Sequence, residues 1–215
     1  MTILGLECSS DHRGAALIRE GRVLATAVQQ DGRHTEIFRL IDAVLSEAGV
    51  PRRGIDVIAV GIGPGSYTGI RLAISAAQGW QLAAGLRVVA VDSFAALAAG
   101  LATRGESGRL ILAADAQRQE CAVVEAVNGE LAGPVRLVSH AELRERIGRK
   151  ERVVGPGIRG LVGGEDAFPS AGMTALIAER APVFVPAEGL APVYLREASF
   201  VKAPPARVIE GMQSV

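Results

Sequence analysis

Ile3-Leu4-Gly5-Leu6-Glu7 and Ile111-Leu112-Ala113-Ala114-Asp115 are the two stretches on which the fold reading turns. Each is a short aliphatic run ending in a carboxylate, and a slide of 108 positions lays one on the other. Carried on without a gap, the same slide places Gly21 on Gly129. Each run passes through a polar turn (Cys8 to Arg13, Ala116 to Glu120) and returns as an apolar stretch to a glycine turn. An internal repeat of this kind indicates a duplicated unit. Outward from the first run, Gly14 to Ile18 and Val23 to Val28 read as two further strands in hairpin succession. His34 to Ala48 carries Ile37, Leu40, Ile41, Val44, Leu45 and Ala48 at helical spacing and stops at Gly49 and Pro51. A continuous apolar run from Ile55 to Ile62, a glycine-rich loop from Gly63 to Gly69 and a helix from Ile70 to Ala84 follow. A strand at Val88 to Val91 and a helix at Ser93 to Leu101 complete a β-β-β-α-β-α-β-α unit, a mixed sheet with crossover helices. The second half is less regular: a helix around Leu143 to Ile147, a strand at Val153-Val154, and a loop-rich stretch from Gly155 to Gly172.

The whole chain limits what these units can do. It has 215 residues, 49% hydrophobic and 21% charged, with Lys+Arg equal to Asp+Glu. That composition is globular, and a formal net charge of zero provides no global field to hold nucleic acid or an anionic membrane. Cys8 and Cys121 are too few for a disulfide framework, so a reducing cytosol is expected. The first residues contain no signal-peptide pattern, and Ile70 to Leu86 is interrupted by Arg71, Gln78 and Gln81, so no membrane span is expected. The domain expectation is an N-terminal lobe over 1–104, a smaller lobe over 105–201 and a loose tail over 202–215.

Chemistry-bearing groups are few. Glu7 and Asp115, with Ser9 and Ser10 beside the first, are candidates for holding a nucleotide phosphate or metal if both strand ends face one cleft; alternatively, each acid simply accepts hydrogen bonds from its own turn. The Gly63-Pro64-Gly65-Ser66-Tyr67-Thr68-Gly69 loop precedes a helix, where amides can cradle an anion, but Ile70-Arg71 stands where a phosphate loop needs Lys-Ser/Thr. A tight turn capped by Ser66 or Thr68 is the favoured reading. His12, His34 and His140 offer no zinc-protease pair, and Ser9, Ser10, Asp11 and His12 lie too close in sequence to converge as a hydrolase triad. The helix after the loop is apolar on nearly all sides, with Arg71, Ser75 and Gln78 as its one polar stripe and Leu72, Ala76, Gly79 and Ala83 as a seam of small residues. Its surplus needs cover, either from the same chain or from a second one.

Together, Ile3 to Ser10, His34-Thr35, Gly63 to Arg71, Ala77-Gln78-Gly79, Asp115-Ala116 and Pro192-Val193-Tyr194-Leu195-Arg196 resemble the bacterial TsaB (YeaZ) family, from residue 1 to about 196. The resemblance implies an α/β, actin-like ATPase (ASKHA, ribonuclease H-like) fold of two related lobes, each a mixed β-sheet flanked by helices. It implies a part in forming N6-threonylcarbamoyladenosine beside the anticodon of tRNAs that read codons starting with A. In such systems a TsaD-type relative transfers the group, and a TsaE-type ATPase joins the pair. The expected role is a non-catalytic, cytoplasmic partner of that transferase, with tRNA contacted only indirectly and self-pairing as the alternative when alone. No cofactor is expected for this chain itself, ATP with magnesium being a candidate only at the joint interface. Carried over, His34, Ile37, Ile41, Ile70, Ala73, Ala76, Ala77 and Gly79 are the candidate partner contacts. The sequence departs from the catalytic relative's His-x-x-x-His metal pair, since Phe38 follows His34 at the matching place. It also has Glu7 where the family more often has Asp. Two alternatives stand beside this reading: a small ATPase or phosphotransferase using Glu7 and Asp115 around magnesium-nucleotide, and a peptidase acting on its own relatives.

Overall fold

A computed structural model of the chain describes residues 1–30, 36–106 and 108–195. Two six-stranded sheets are formed. In the first, β1 (Thr2–Glu7) pairs antiparallel with β2 (His12–Arg19), which pairs antiparallel with the edge strand β3 (Arg22–Gln30). On its other side β1 runs parallel to β4 (Val57–Gly61), and β4 to β5 (Arg87–Val91). The parallel pairs are joined by α1 (Ile37–Ala48) and α2 (Tyr67–Ala84), and α3 (Ser93–Thr103) leaves the sheet after β5. The second sheet repeats the wiring. β6 (Arg109–Asp115) pairs antiparallel with β7 (Glu120–Val127), which carries β8 (Glu130–Leu131) and β9 (Arg136–Ser139). α4 (His140–Gly148) then leads to β10 (Val153–Gly155), parallel to β6, and α5 (Ile158–Val162) to β11 (Glu165–Asp166), with α6 (Ala171–Arg180) last.

The repeat is visible in the turns. Glu20 and Gly21 (φ 50° and 70°) join β2 to β3 as a two-residue link, and Asn128 and Gly129 (φ 51° and 88°) join β7 to β8 in the same way, 108 positions on. Two successive positive φ angles are what a type I′ hairpin requires, which is why glycine stands second in both. The first strands, however, do not follow the gapless slide. Glu7 pairs with Gly14, whereas Asp115 pairs with Cys121, the counterpart of Arg13. The first turn is thus one residue longer, and Asp115 is the counterpart of Cys8. Because side chains alternate across a sheet, that single residue puts Glu7 and Asp115 on opposite faces.

Each half sends its third helix to the other. α3 buries Phe94, Leu97, Ala98 and Leu101 with Leu110, Leu112 and Val124 of the second sheet. α6 buries Ala175 and Ala178 with Ile3, Ile18, Val57 and Val89 of the first. Gly5 is required by this exchange, since a Cβ there would lie 2.1 Å from the Ala171 carbonyl oxygen. The chain also returns to the first sheet through β12 (Phe184–Val185), antiparallel to β5. A second lobe running unbroken over 105–201 therefore does not match the packing after Ala171, and the cut at 104 remains a proposal. The expected tail over 202–215 lies outside the described residues. No helix among the described residues is long and apolar enough to cross a membrane.

Helix boundaries follow local chemistry. α1 stops at Gly49 and α2 at Gly85, both left-handed (φ 63° and 65°). Asp92 caps α3 by accepting the Phe94 and Ala95 amides at 2.7 and 3.2 Å. The helix expected from Ile70 begins three residues earlier at Tyr67, and the one expected from His34 is described from Ile37.

Candidate partner surface and interlobe cleft

The Gly63 to Gly69 loop is shaped by close packing of backbone on backbone. A Cβ at Gly65 would lie 2.1 Å from the Ser9 carbonyl oxygen, and one at Gly69 would lie 2.0 Å from that of Cys8. The Ser66 amide donates to the Ser9 carbonyl at 2.7 Å, and the Ser66 hydroxyl accepts the Gly69 amide at 3.4 Å as the cap of α2. The capped-turn reading holds, and the glycines serve the β1–β2 turn against which the loop lies.

Between the lobes is a cleft of about 740 Å³, walled by Ser9 and Ser10, by Gly65 to Thr68, by Asp115 to Gln117 and by Pro192 to Leu195. Asp115 is exposed in it, its two oxygens accepting the Gln117 amide at 2.8 Å and the Gln117 Nε2 at 3.1 Å. Glu7 is not in the cleft wall. It is fully buried, with Oε1 accepting the Ser9 amide at 2.9 Å and Oε2 lying 3.0 Å from Ser93 Oγ and 3.3 Å from Thr174 Oγ1. Burial outweighs these bonds and pushes its carboxyl above the usual range. The two carboxylates expected to flank one site are therefore separated, because of the extra residue in the first turn. Each does accept the amide two residues on, as the simpler reading of a strand-end acid requires. Ser9 and Ser10 reach the cleft wall, but Ser10 Oγ is occupied by the His12 amide at 3.2 Å. The His12 ring stacks on Phe168 with centroids 3.6 Å apart, so the Ser9 to His12 stretch does not assemble a triad. Both thiols are buried, and burial pushes Cys8 up to about 12 and Cys121 up to about 11.

The partner contacts need correction. Ile37, Ile41, Ile70, Ala73, Ala76 and Ala77 are all 5% exposed or less and form part of the core beneath α1 and α2. They cannot touch a second chain without unpacking the first. His34 lies outside the described residues, and Gly79 alone of the set is exposed. Much of the surplus on α2 is covered by the same chain: Gln78 Nε2 donates to the Ala187 carbonyl at 2.9 Å, Gln81 accepts the Ala187 amide at 2.8 Å, and Leu190 packs on the core. The seam residue Leu72 is half-buried, while Ala83 is exposed. The outward residues include Arg71, Ser75, Gly79, Ala83 and Leu82 on α2, the last 90% exposed, and Phe38 on α1, 57% exposed. The sequence reading singles out neither Phe38 nor Leu82 as a contact. Their turn positions opposite the buried stripes are the signal that could have found them.

Two equivalent α/β units, each lending a helix to the other around a central cleft, define the actin-like ATPase class of fold. A family model described as "TsaD: tRNA N6-adenosine threonylcarbamoyltransferase" matches residues 27–143. The chain is similar to the tRNA threonylcarbamoyladenosine biosynthesis protein TsaB of Escherichia coli, 31% identical over 121 residues, covering 56% of this chain and 52% of that protein. TsaB of Haemophilus influenzae is 30% identical over 121 residues, covering 56% and 51%. The matches thus span about half the length of these curated relatives. YeaZ from Pseudomonas aeruginosa shares the fold at a TM-score of 0.74 with 27% identity, covering 90% of this chain and 99% of that one. The chain belongs to the TsaB (YeaZ) family.

Proposed function

We propose that this chain takes part in N6-threonylcarbamoyladenosine synthesis on tRNA as a non-catalytic scaffold that pairs with a TsaD-type transferase, with a TsaE-type ATPase joining the pair. The observation that carries the reading is the outward face of α1 and α2. Leu82 stands in water there with Gly79 and Ala83 on α2, and Phe38 stands in water on α1, while the core residues of both helices are already buried. Apolar side chains at such exposure, next to small residues that allow close approach, suit a helical partner surface. The relatives named for this pathway support the choice of partner. A non-catalytic role is supported by Glu7, which is turned into the lobe and so does not face Asp115 across the cleft.

Co-purification with the cognate TsaD-type protein tests this. Leu82→Arg and Phe38→Arg are expected to weaken the complex and lower modification of tRNA while the isolated chain stays folded. A complex unchanged in both variants would remove the surface from consideration. Ala76→Arg and Ala77→Arg are unsuitable probes, since both positions are core. Of the acids the ATPase reading names only Asp115 lines the cleft, with Asp11 also in its wall, and calorimetry with magnesium-ATP on wild type and Asp115→Asn separates it: binding lost in the variant would favour the enzyme.

A further inference from the structure

Among the described residues Glu7 is the one fully buried acid of the first sheet whose contacts join several elements, and the partner-binding role does not use it. Its hydrogen-bond partners there are the Ser9 amide, the Ser93 hydroxyl and the Thr174 hydroxyl, none of them a cation. These three belong to the turn after β1, the first residue of α3 and the middle of α6. The carboxyl lies over β4, where Gly61 makes room for it: a Cβ at Gly61 would meet Glu7 Oε2 and Oε1.

Hydrogen bonding can be completed in either form, since the Thr174 hydroxyl can donate to Glu7 Oε2 and the Ser170 carbonyl already accepts the Thr174 amide at 3.0 Å, so the buried charge decides. Ser93 Oγ accepts the Gly63 amide at 3.1 Å, so its single hydrogen is free for Glu7. Thr174 Oγ1 lies 3.1 Å from the Ser170 carbonyl oxygen, which can take the threonine hydrogen and leave the hydroxyl oxygen to accept one from Glu7 Oε2 at 3.3 Å. In the neutral acid every hydrogen has an acceptor: Glu7 donates to Thr174, Thr174 to Ser170, and Ser9 and Ser93 donate to the glutamate. In the ionised form a full charge sits away from water with no opposite charge bonded to it, which costs several kcal/mol. Charged or titratable groups near this end of β1 include Cys8 next in sequence, Arg13 on β2 and Asp92 before α3. Arg13 reaches the Ser10 carbonyl and the Ser66 hydroxyl, both at 3.4 Å, and Asp92 is engaged as a helix cap. From α6 the bonded groups are Thr174 and, through it, Ser170, and on β4 Gly61 lies against the carboxyl.

We propose that Glu7 is held as a neutral carboxylic acid in the folded protein at neutral pH and acts as a proton-dependent latch that fastens α3 and α6, the two exchanged helices, to the end of β1. Loss of that proton turns Thr174 from acceptor to donor and leaves a charge buried without a cation, which loosens the helices that join the halves. A group that binds its proton more tightly folded than unfolded supports stability at low pH, and that support is lost as pH rises through the folded value.

The first test needs only the wild-type chain. With glutamate labelled by ¹³C at the side-chain carboxyl, one resonance should hold the protonated position at pH 7 while the others titrate in the acidic range. If every glutamate is ionised at pH 7, the proposal is overturned. Hydrogen exchange, corrected for its intrinsic pH dependence, gives the second test. Opening of α3 and α6 should become more favourable as pH rises from the ordinary glutamate range to the folded value, by up to about tenfold per unit, and level off above it. In Glu7→Gln, which keeps the shape and can donate to Thr174, that pH dependence should vanish. A Glu7→Gln variant whose α6 opens with the same pH dependence as wild type would refute the latch. Should Glu7→Gln not fold, Thr174→Val serves instead, with its α6 exchange expected to be fast already at pH 7.

Discussion

Gly69 and Gly79 lie in the same helix, yet replacing each by alanine should move stability in opposite directions. Alanine is favoured over glycine in a helix interior by about 1 kcal/mol, because it loses less backbone freedom on folding. At Gly79 no heavy atom lies within 4 Å of the added methyl, so the full gain is expected. At Gly69 the methyl would sit 2.0 Å from the Cys8 carbonyl oxygen, with the Arg13 Nε at 3.2 Å, whereas ordinary contact begins at 3.4 Å. Both sides are backbone, so relief requires α2 to lift from the β1 end and strain the Ser66 to Ser9 hydrogen bond. Overpacking of this kind costs about 1–3 kcal/mol, and the upper end applies where neither side is a flexible side chain. Less the helix gain, Gly69→Ala should lose about 2 kcal/mol. For a chain of this length 1 kcal/mol corresponds to about 2–4 °C, so thermal unfolding of the isolated chain should drop by about 4–8 °C in Gly69→Ala and rise by about 2–4 °C in Gly79→Ala. If Gly69→Ala is neutral or stabilising, the account of the glycine loop as backbone packing fails.

Thr174→Val conserves volume but removes a hydroxyl from Glu7, and should lower the unfolding free energy by about 1–3 kcal/mol, seen as a lower urea midpoint at unchanged slope. Asp92→Ala leaves the Phe94 and Ala95 amides uncapped and should cost about 1 kcal/mol in the same assay. Cys8 and Cys121, pushed up to about 12 and about 11, should resist a thiol reagent at pH 8 in the native protein and react only after unfolding; rapid native labelling of either would contradict their burial.

The first half of the fold was legible because each element there declares itself locally. Strands of aliphatic residues, the Glu20-Gly21 turn, and the α1 stripe ending at Gly49 need no distant information. α6 was not legible. Ala171 to Arg180 has little amphipathic contrast and follows a stretch broken by Gly163, Gly164 and Pro169. It is a helix in place because Ser170 caps it and strands β1, β2, β4 and β5 of the first sheet, far earlier in the sequence, cover its inner face. The partner contacts failed for a related reason. A helical wheel shows how much of α2 is apolar but not that Ala187 and Leu190 will come back to cover one side of it.

The same dependence on distant partners governs Glu7. Period-two alternation puts it on the face of Ile3 and Gly5, away from Leu4, Leu6 and Cys8, which pack with α1 and α2. That much can be read from five residues. Which face is the cleft, however, depends on the length of the β1–β2 turn and on α6 arriving from the second half. The repeat itself gave the misleading register, since its hairpins align at 108 while its first strands differ by one residue in pairing. Sequence identity between the halves is dominated by aliphatic residues that fit either register. The register pairs Glu7 with Gly14 and Asp115 with Cys121 distinguish them, and one residue of turn is enough to convert a cleft carboxylate into a buried one.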